Sequence, residues 1–150
     1  MTRINSAIDV KCLTDEHLLA EHREIKRLPY CLEKAIESGS INNIPNKFTL
    51  GKGHVTFFLN KQRFVVLRYW EIYRECIRRN LNVKLYNQNW LNLPQNILFE
   101  NFRDYKPTLE ERQLLIERIT ERIMKSHKKV WHYYGKPIGK EEAIELLKNV

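Results

Sequence analysis

Apolar residues recur at helical spacing in the first third of the chain. A helix is predicted to begin near Thr14, whose hydroxyl can cap free backbone N–H groups, and Asp15 and Glu16 put negative charge in its first turn. Gly39 marks its expected end, and Pro29 is expected to bend it. The predicted buried stripe consists of Leu18, Ile25, Leu28, Leu32 and Ile36.

Two further helices are predicted by the same period. The second runs roughly from Asn60 to Arg79, and the third begins at Pro107 and Thr108. Their predicted buried positions are Val66, Tyr69, Ile72, Tyr73 and Cys76 in the second helix, and Leu115, Ile116, Ile119 and Ile123 in the third.

The remaining segments are rich in turn residues or lack a period. SGSINNIPNKFTLGKGH is typical of a loop, and VTFFL after it is predicted as loop and the start of a helix, since no second strand is available to pair with it. Residues 81–106 show no sustained period, which predicts irregular structure. The tail KKVWHYYGKPIGKEEAIELLKNV is predicted to hold a basic aromatic cluster followed by a short helical extension.

These elements predict an all-α fold, a compact single domain of three main helices with long irregular loops. A chain of 150 residues can bury one real core and is too short for two independent domains, so residues 1–150 are predicted to form one domain. The three cysteines show no paired CxxC spacing, which indicates neither a disulfide framework nor a zinc site and fits a cytoplasmic location. No apolar run approaches the ~20 residues of a membrane span, and no signal-peptide pattern is present.

The charge of the chain favours a polyanionic partner. Lysine and arginine number 26 against 18 aspartates and glutamates, giving a formal charge of +8. Nucleic acid is the favoured partner, although charge alone does not separate it from anionic lipid or from plain solubility.

The first predicted helix carries a cluster of candidate catalytic and binding residues. His17 and Glu24 are seven positions apart and share one face, and Arg23 and Arg27 form an adjoining basic stripe. A carboxylate beside guanidinium groups is held near whatever anion those groups bind. The alternative is a solvated helix face with ion pairs.

Thr2 adds a candidate nucleophile. A threonine after the initiator methionine is small enough for the methionine to be removed, which would expose the α-amine of Thr2. The pKa of such an amine is roughly 7.7–8.0, against roughly 10.4 for lysine, so about a tenth of it is neutral near pH 7 and able to attack carbon.

Two more clusters are candidates for contacts with nucleic acid. Arg118, Arg122 and Lys125 form one basic ridge on the third helix, although a solvated face explains them equally well. Near the C-terminus an aromatic and basic group could stack on bases and contact the backbone, or its tryptophan and one tyrosine could simply cover the core. The aromatic and basic candidates are Trp131, Tyr133, Tyr134 and Lys136. His54, in GKGH, is as well explained by a structural hydrogen bond as by catalysis.

Together these segments resemble a known family. MTRIN, HLLAEHRE, LGKGHVTFF, ECIRRNLNVK and WHYYGK occur in the order typical of the phage pyrimidine-dimer DNA glycosylases of the endonuclease V type. The resemblance covers roughly residues 2–136, and residues 137–150 form a C-terminal extension.

The resemblance implies a fold, an activity and a set of site residues. It implies an N-terminal segment that threads between helices, and a monomeric enzyme without metal or organic cofactor. The implied activity is removal of cis-syn cyclobutane pyrimidine dimers from double-stranded DNA, followed by strand cleavage at the abasic site. Thr2 would be the nucleophile and Glu24 the essential carboxylate, while Arg3, Arg23 and Arg27 would bind around the lesion with His17 nearby. The same chemistry on another damaged base, or DNA binding without catalysis, remain as alternatives.

Overall fold

The structure, a computed structural model, describes residues 4–149. Eight α-helices occur in this range. They are α1 (Asp15–Ile25), α2 (Leu28–Ser38), α3 (His54–Phe58), α4 (Gln62–Arg78), α5 (Gln88–Leu91), α6 (Gln95–Glu100), α7 (Leu109–Lys125) and α8 (Lys140–Lys148). The only strands within residues 4–149 are β1 (Trp131–Tyr133) and β2 (Lys136–Ile138), which pair as a small antiparallel hairpin. The prediction of an all-α fold is therefore confirmed.

The first predicted helix is two helices. Thr14 caps α1 by accepting a hydrogen bond from the backbone N–H of His17, and Gly39 ends α2 in the left-handed conformation, so both predicted ends are confirmed. The prediction of a bend at Pro29 was wrong, because the helix is interrupted earlier, at Lys26 and Arg27. In a continuous helix the ring of Pro29 would clash with the preceding turn, whereas at the second position of α2 its missing N–H costs nothing.

The second and third predicted helices are α4 and α7. A capping box closes the start of α7, with the Thr108 and Glu111 side chains each accepting from the other residue's backbone N–H. The predicted core residues of α7 are all buried. On α4, Val65 is fully buried, while Val66 and Tyr73 are only partly buried. The same buried face of α4 also carries three polar residues, Gln62, Arg68 and Glu75.

Tertiary contacts stabilise short helices where the sequence predicts irregular structure. The prediction for residues 81–106 was wrong over α5 and α6, each of only one or two turns. Trp90 of α5 donates its indole N–H to Gln62 of α4 at 3.0 Å, and Asn89 donates to the carbonyl of Lys26 at 2.9 Å. Helices this short are unstable alone, so their partners decide the conformation.

The N-terminal segment passes through the core, as the resemblance implies. Ile4 and Ile8 are fully buried in the cluster that also holds Leu18 of α1, Phe58 of α3 and Tyr69 of α4. Around this core α1 packs along α4, α8 packs on α7, and β1 contacts α1. Within residues 4–149 every helix falls short of the length and apolarity that a bilayer span requires.

Candidate active site

A pocket of about 300 Å³ lies between the N-terminal segment, α1 and α7. It is lined by Asn5, His17, Ala20, Glu21, Arg23, Glu24, Arg118, Ile119 and Arg122. Five of these nine residues, His17, Arg23, Glu24, Arg118 and Arg122, are site residues predicted from the sequence. The tertiary structure thus brings the face of the first helix that carries His17 and Glu24 and the basic ridge of the third helix to one cavity.

His17 is held at the first turn of α1. Its backbone N–H donates to Thr14 Oγ1 at 3.2 Å, and its ring Nδ1 lies 2.7 Å from the same oxygen. Since Oγ1 accepts the backbone hydrogen bond, its own proton is available for Nδ1. Burial lowers the pKa of His17, which favours the neutral imidazole at the edge of the pocket.

Glu24 is partly exposed and lies beside a cation. Arg27 Nη1 donates to Glu24 Oε2 at 3.2 Å, across the break between α1 and α2. Arg27 is largely exposed and does not line the pocket. An exposed pair of this kind adds little to stability, so Arg27 can exchange Glu24 for a phosphate at small cost.

The basic ridge of α7 extends beyond the pocket. Arg118 and Arg122 also line a neighbouring open groove of about 640 Å³ together with Lys125. Lys125 Nζ lies 2.7 Å from Glu121 Oε1 in an exposed ion pair. The pocket therefore opens toward a surface on which three cations could contact a phosphate backbone.

A buried ion pair forms part of the pocket wall. Glu21 of α1 lines the pocket, and Arg68 of α4 binds both oxygens of its carboxylate, at 2.9 and 3.0 Å. Sequence reasoning missed both residues. The spacing from His17 to Glu21 to Glu24 places Glu21 on the predicted face, whereas Arg68 could have been found only as a charge that interrupts the apolar stripe of α4.

His54 fastens the start of the described N-terminal segment. The backbone N–H of Ile4 donates to His54 Nε2 at 2.9 Å, and His54 Nδ1 lies 2.8 Å from the carbonyl oxygen of Thr49. Nε2 must accept, so Nδ1 carries the proton and donates to Thr49. This geometry fits the structural interpretation of His54. Thr2 and Arg3 lie outside the described residues.

The aromatic residues of the tail lie away from the pocket. Trp131 is 4% exposed and belongs to the core, which confirms the core interpretation for the tryptophan. Tyr133 and Tyr134 donate their hydroxyl protons to the carbonyl of Lys11 at 2.8 Å and to Glu75 Oε2 at 2.7 Å. Lys136 is exposed at the start of β2.

Arg79 joins this tail to α1 and α4. Its guanidinium carbon lies 4.7 and 4.8 Å from the ring centres of Tyr133 and Tyr134, and its nitrogens donate to Glu75 and Asp15. Asp15 in turn accepts from the backbone N–H groups of Tyr134 and Gly135. The hairpin is thereby fixed against the start of α1.

A second contact fixes the hairpin one residue from His17. Glu16 accepts hydrogen bonds from the backbone and the ring Nδ1 of His132, at 2.8 and 2.9 Å, and Lys128 Nζ lies 3.1 Å away. Burial opposes ionisation of Glu16, but the hydrogen bonds from His132 and Lys128 outweigh it and lower the pKa to about 2. The aromatic tail thus neighbours the pocket through α1 without lining it.

One family model matches the chain, over residues 1–89 of 150, more than half of its length. Its description is pyrimidine dimer DNA glycosylase. The matched stretch runs from the N-terminal segment through α1 to α4, and α7 and the hairpin follow it.

Proposed function

Because the chain belongs to the pyrimidine dimer DNA glycosylase family, whose members excise dimers from damaged DNA, we propose that the α-amine of Thr2 is its nucleophile. Loss of Met1 exposes this amine. Its ordinary pKa of roughly 7.7–8.0 leaves about a tenth of it neutral near pH 7, so it can attack carbon without a buried site to lower its pKa.

The reaction proceeds in two stages. The amine nitrogen attacks C1′ of the 5′ nucleotide of a cis-syn pyrimidine dimer, the glycosidic bond breaks, and the departing base takes up a proton. The sugar ring then opens to an imine on Thr2. Loss of the 2′ proton expels the 3′ phosphate by β-elimination, and hydrolysis of the imine releases the enzyme. The enzyme is thus both an N-glycosylase and an abasic-site lyase.

Glu24 is the acid–base residue of this proposal. Its carboxylate can stabilise positive charge that develops at the sugar, assist ring opening and accept the 2′ proton. Both oxygens of Glu21, the other carboxylate of the pocket, are bound by Arg68, so we assign these steps to Glu24. His17 lies at the edge of the same cavity as a neutral ring.

One observation carries the proposal: Asn5 lines the same pocket as Glu24. Three residue steps separate Asn5 from Thr2, and an extended chain spans at most roughly 3.3–3.6 Å per residue, or about 10 Å in all. The length of the chain therefore allows the α-amine of Thr2 to reach the pocket that holds the Glu24 carboxylate and three arginines.

The basic residues around the pocket are proposed to bind the DNA. Arg3, Arg23 and Arg27 contact phosphates around the lesion, and Arg118, Arg122 and Lys125 contact the backbone beside it. Tyr134 and Lys136 reach the DNA from the exposed side of the hairpin, while Trp131 and Tyr133 hold the hairpin in place. We propose that one monomer acts on one lesion.

Borohydride trapping tests the proposal. The protein is incubated with a duplex containing one cis-syn thymine dimer, and in parallel with an abasic duplex, and the adduct is mapped by mass spectrometry. We expect an adduct at Thr2 on both duplexes, and none when the N-terminus is acetylated. An adduct on the abasic duplex alone would indicate a different damaged base, and no adduct on either would exclude the amine mechanism.

A further inference from the structure

We infer that Arg68 is a positioning residue, which orients the N-terminal nucleophile by holding the N-terminal segment against the wall of the pocket. This inference rests on the proposed role of the Thr2 amine. Arg68 belongs to the middle of α4 and is not a residue of the substrate pocket itself.

The guanidinium of Arg68 joins two elements that are far apart in the sequence. Its Nε and Nη2 donate to the two oxygens of Glu21 at 2.9 and 3.0 Å, and its Nη1 donates to the carbonyl oxygen of Ile8 at 2.7 Å. Arg68 is 4% exposed and Glu21 is 1% exposed. A planar guanidinium with two donors committed to a carboxylate has little freedom, so the position of Ile8 is set relative to α1.

The contact with Ile8 is transmitted to the pocket by a turn. The backbone N–H of Ile8 donates to the carbonyl of Asn5 at 3.0 Å, and Asn5 lines the pocket. On the other side of Asn5, the N–H of Ile4 is held by His54 at 2.9 Å. The segment from Ile4 to Ile8 is therefore fastened at both ends, and the chain leaves it toward Thr2 from a defined point.

Stability alone is a poor explanation for this arrangement. A buried ion pair recovers little more than the cost of removing its charges from water, and apolar side chains of similar size stabilise a core as well or better. The role of arginine at this position is instead to orient these elements, because its three hydrogen bonds specify the relative position of α1, α4 and the N-terminal segment. Reactions that depend on a held nucleophile lose about 100-fold in rate when it is displaced by 1 Å.

Two variants of Arg68 and one matched control test the inference. Arg68→Met removes all three hydrogen bonds, and Arg68→Lys keeps the charge but replaces the planar fork by a single nitrogen, which cannot reproduce the two-oxygen contact with Glu21 together with the bond to Ile8. Gln62→Leu is the control, because Gln62 is also a buried polar residue of α4, and the hydrogen bonds of its side chain go to the Leu59 carbonyl and the Trp90 indole instead of the N-terminal segment.

The measurements separate rate from affinity. For each protein the rate of borohydride trapping is determined at saturating abasic duplex, the dissociation constant for the same duplex is determined by titration, and both are corrected for the folded fraction from circular dichroism. We expect the rate to fall about 10-fold to 100-fold in Arg68→Met and less in Arg68→Lys, with dissociation constants within about 3-fold of the original chain. Gln62→Leu should keep the original rate per folded molecule.

Repeating the trapping at a lower temperature separates a structural role from a positioning role. If Arg68 only stabilises the fold, its variants trap DNA at low temperature as fast as the original chain does at that temperature. If the nucleophile is displaced, the variants remain slower than the original chain even when they are fully folded. Original rates in folded Arg68→Lys or Arg68→Met, or a loss confined to affinity, would overturn the inference. Absence of any Thr2 adduct in the original chain would instead overturn the proposed function.

Discussion

The Nε2 atom of His54 accepts a hydrogen bond from the backbone N–H of Ile4 at 2.9 Å, which joins the start of α3 to the chain two residues after Thr2. The hydrogen bond is buried, and the second ring nitrogen of His54 is committed to the carbonyl of Thr49. A glycine in the left-handed conformation, Gly53, precedes the helix, and a Cβ at this position would lie 3.1 Å from Pro45. The GKGH motif therefore serves to place the imidazole under the N-terminal segment.

His54→Ala should destabilise the fold and slow the chemistry. The variant leaves the buried N–H of Ile4 without its acceptor, which costs about 1–3 kcal/mol of unfolding free energy. Urea unfolding measures this loss, and borohydride trapping should be slower in the folded protein. The exposed His127→Ala variant is the control and should change neither quantity. An unchanged unfolding midpoint in His54→Ala would show that this hydrogen bond is dispensable.

Glu24→Gln should abolish most of the glycosylase step and spare DNA binding. The amide keeps the size of the side chain but cannot stabilise positive charge at the sugar during base removal, nor accept the 2′ proton in the later β-elimination. We therefore expect a loss of about 100-fold or more in single-turnover cleavage of dimer DNA. Glu24→Asp, shorter by one methylene, should also lose much of this step. Glu37→Gln, an exposed carboxylate paired with Lys34 on α2, is the matched control. Cleavage by Glu24→Gln at the original rate would remove Glu24 from the mechanism.

Arg122→Ala should weaken DNA binding and reduce its dependence on salt. Each phosphate contact that is lost lowers the slope of log affinity against log salt concentration by about 0.9. Binding of an undamaged duplex between low and moderate salt, followed by fluorescence anisotropy, measures the slope. Lys148→Ala removes an exposed cation at the end of α8 and should leave the slope unchanged. Equal slopes in Arg122→Ala and the original chain would place the DNA elsewhere.

The stability of the protein should fall as the pH decreases from about 7. Burial, with the nearby charges of Lys26 and Arg23, lowers the pKa of His22, and its Nε2 is buried without a hydrogen-bond partner among residues 4–149. Below an ordinary histidine pKa of about 6.5 the unfolded chain binds a proton that the folded chain excludes, so unfolding becomes easier until the pH reaches the lowered pKa. Burial of His17 acts in the same direction.

His22→Phe isolates the contribution of His22. The ring lies 5.7 and 5.8 Å from those of Tyr69 and Tyr86, an environment that suits an apolar aromatic side chain. Urea unfolding between pH 5 and 8 measures the unfolding free energy at each pH. This free energy should change less with pH in His22→Phe than in the original chain, and the two slopes should differ by at most about 1 kcal/mol per pH unit. An identical pH dependence in both proteins would mean that His22 is protonated equally well in the folded state.

The contrast between Glu24 and Arg68 shows where prediction from sequence succeeds. The spacing of His17 and Glu24 on α1 is a local property, and it predicted a shared face that the pocket confirms. In the sequence, nothing distinguishes Arg68 from the other charged residues of the second predicted helix. Its partners, Glu21 and the carbonyl of Ile8, lie 47 and 60 residues away in the chain, and no local pattern indicates which distant charges will meet.

By itself the sequence determined that the residues of α1, α2, α4 and α7 are helical, because amphipathic spacing depends on neighbouring residues. It also determined the helix ends at Thr14, Gly39 and Thr108, because capping is local as well. It also determined the family, through motifs in a fixed order. Only the tertiary structure decided the break at Lys26, the short helices α5 and α6, the hairpin that carries Trp131, and the meeting of α1 with α7 around one pocket. Each of these depends on burial and hydrogen bonds between segments distant in the chain, and such contacts form only when the whole core is assembled.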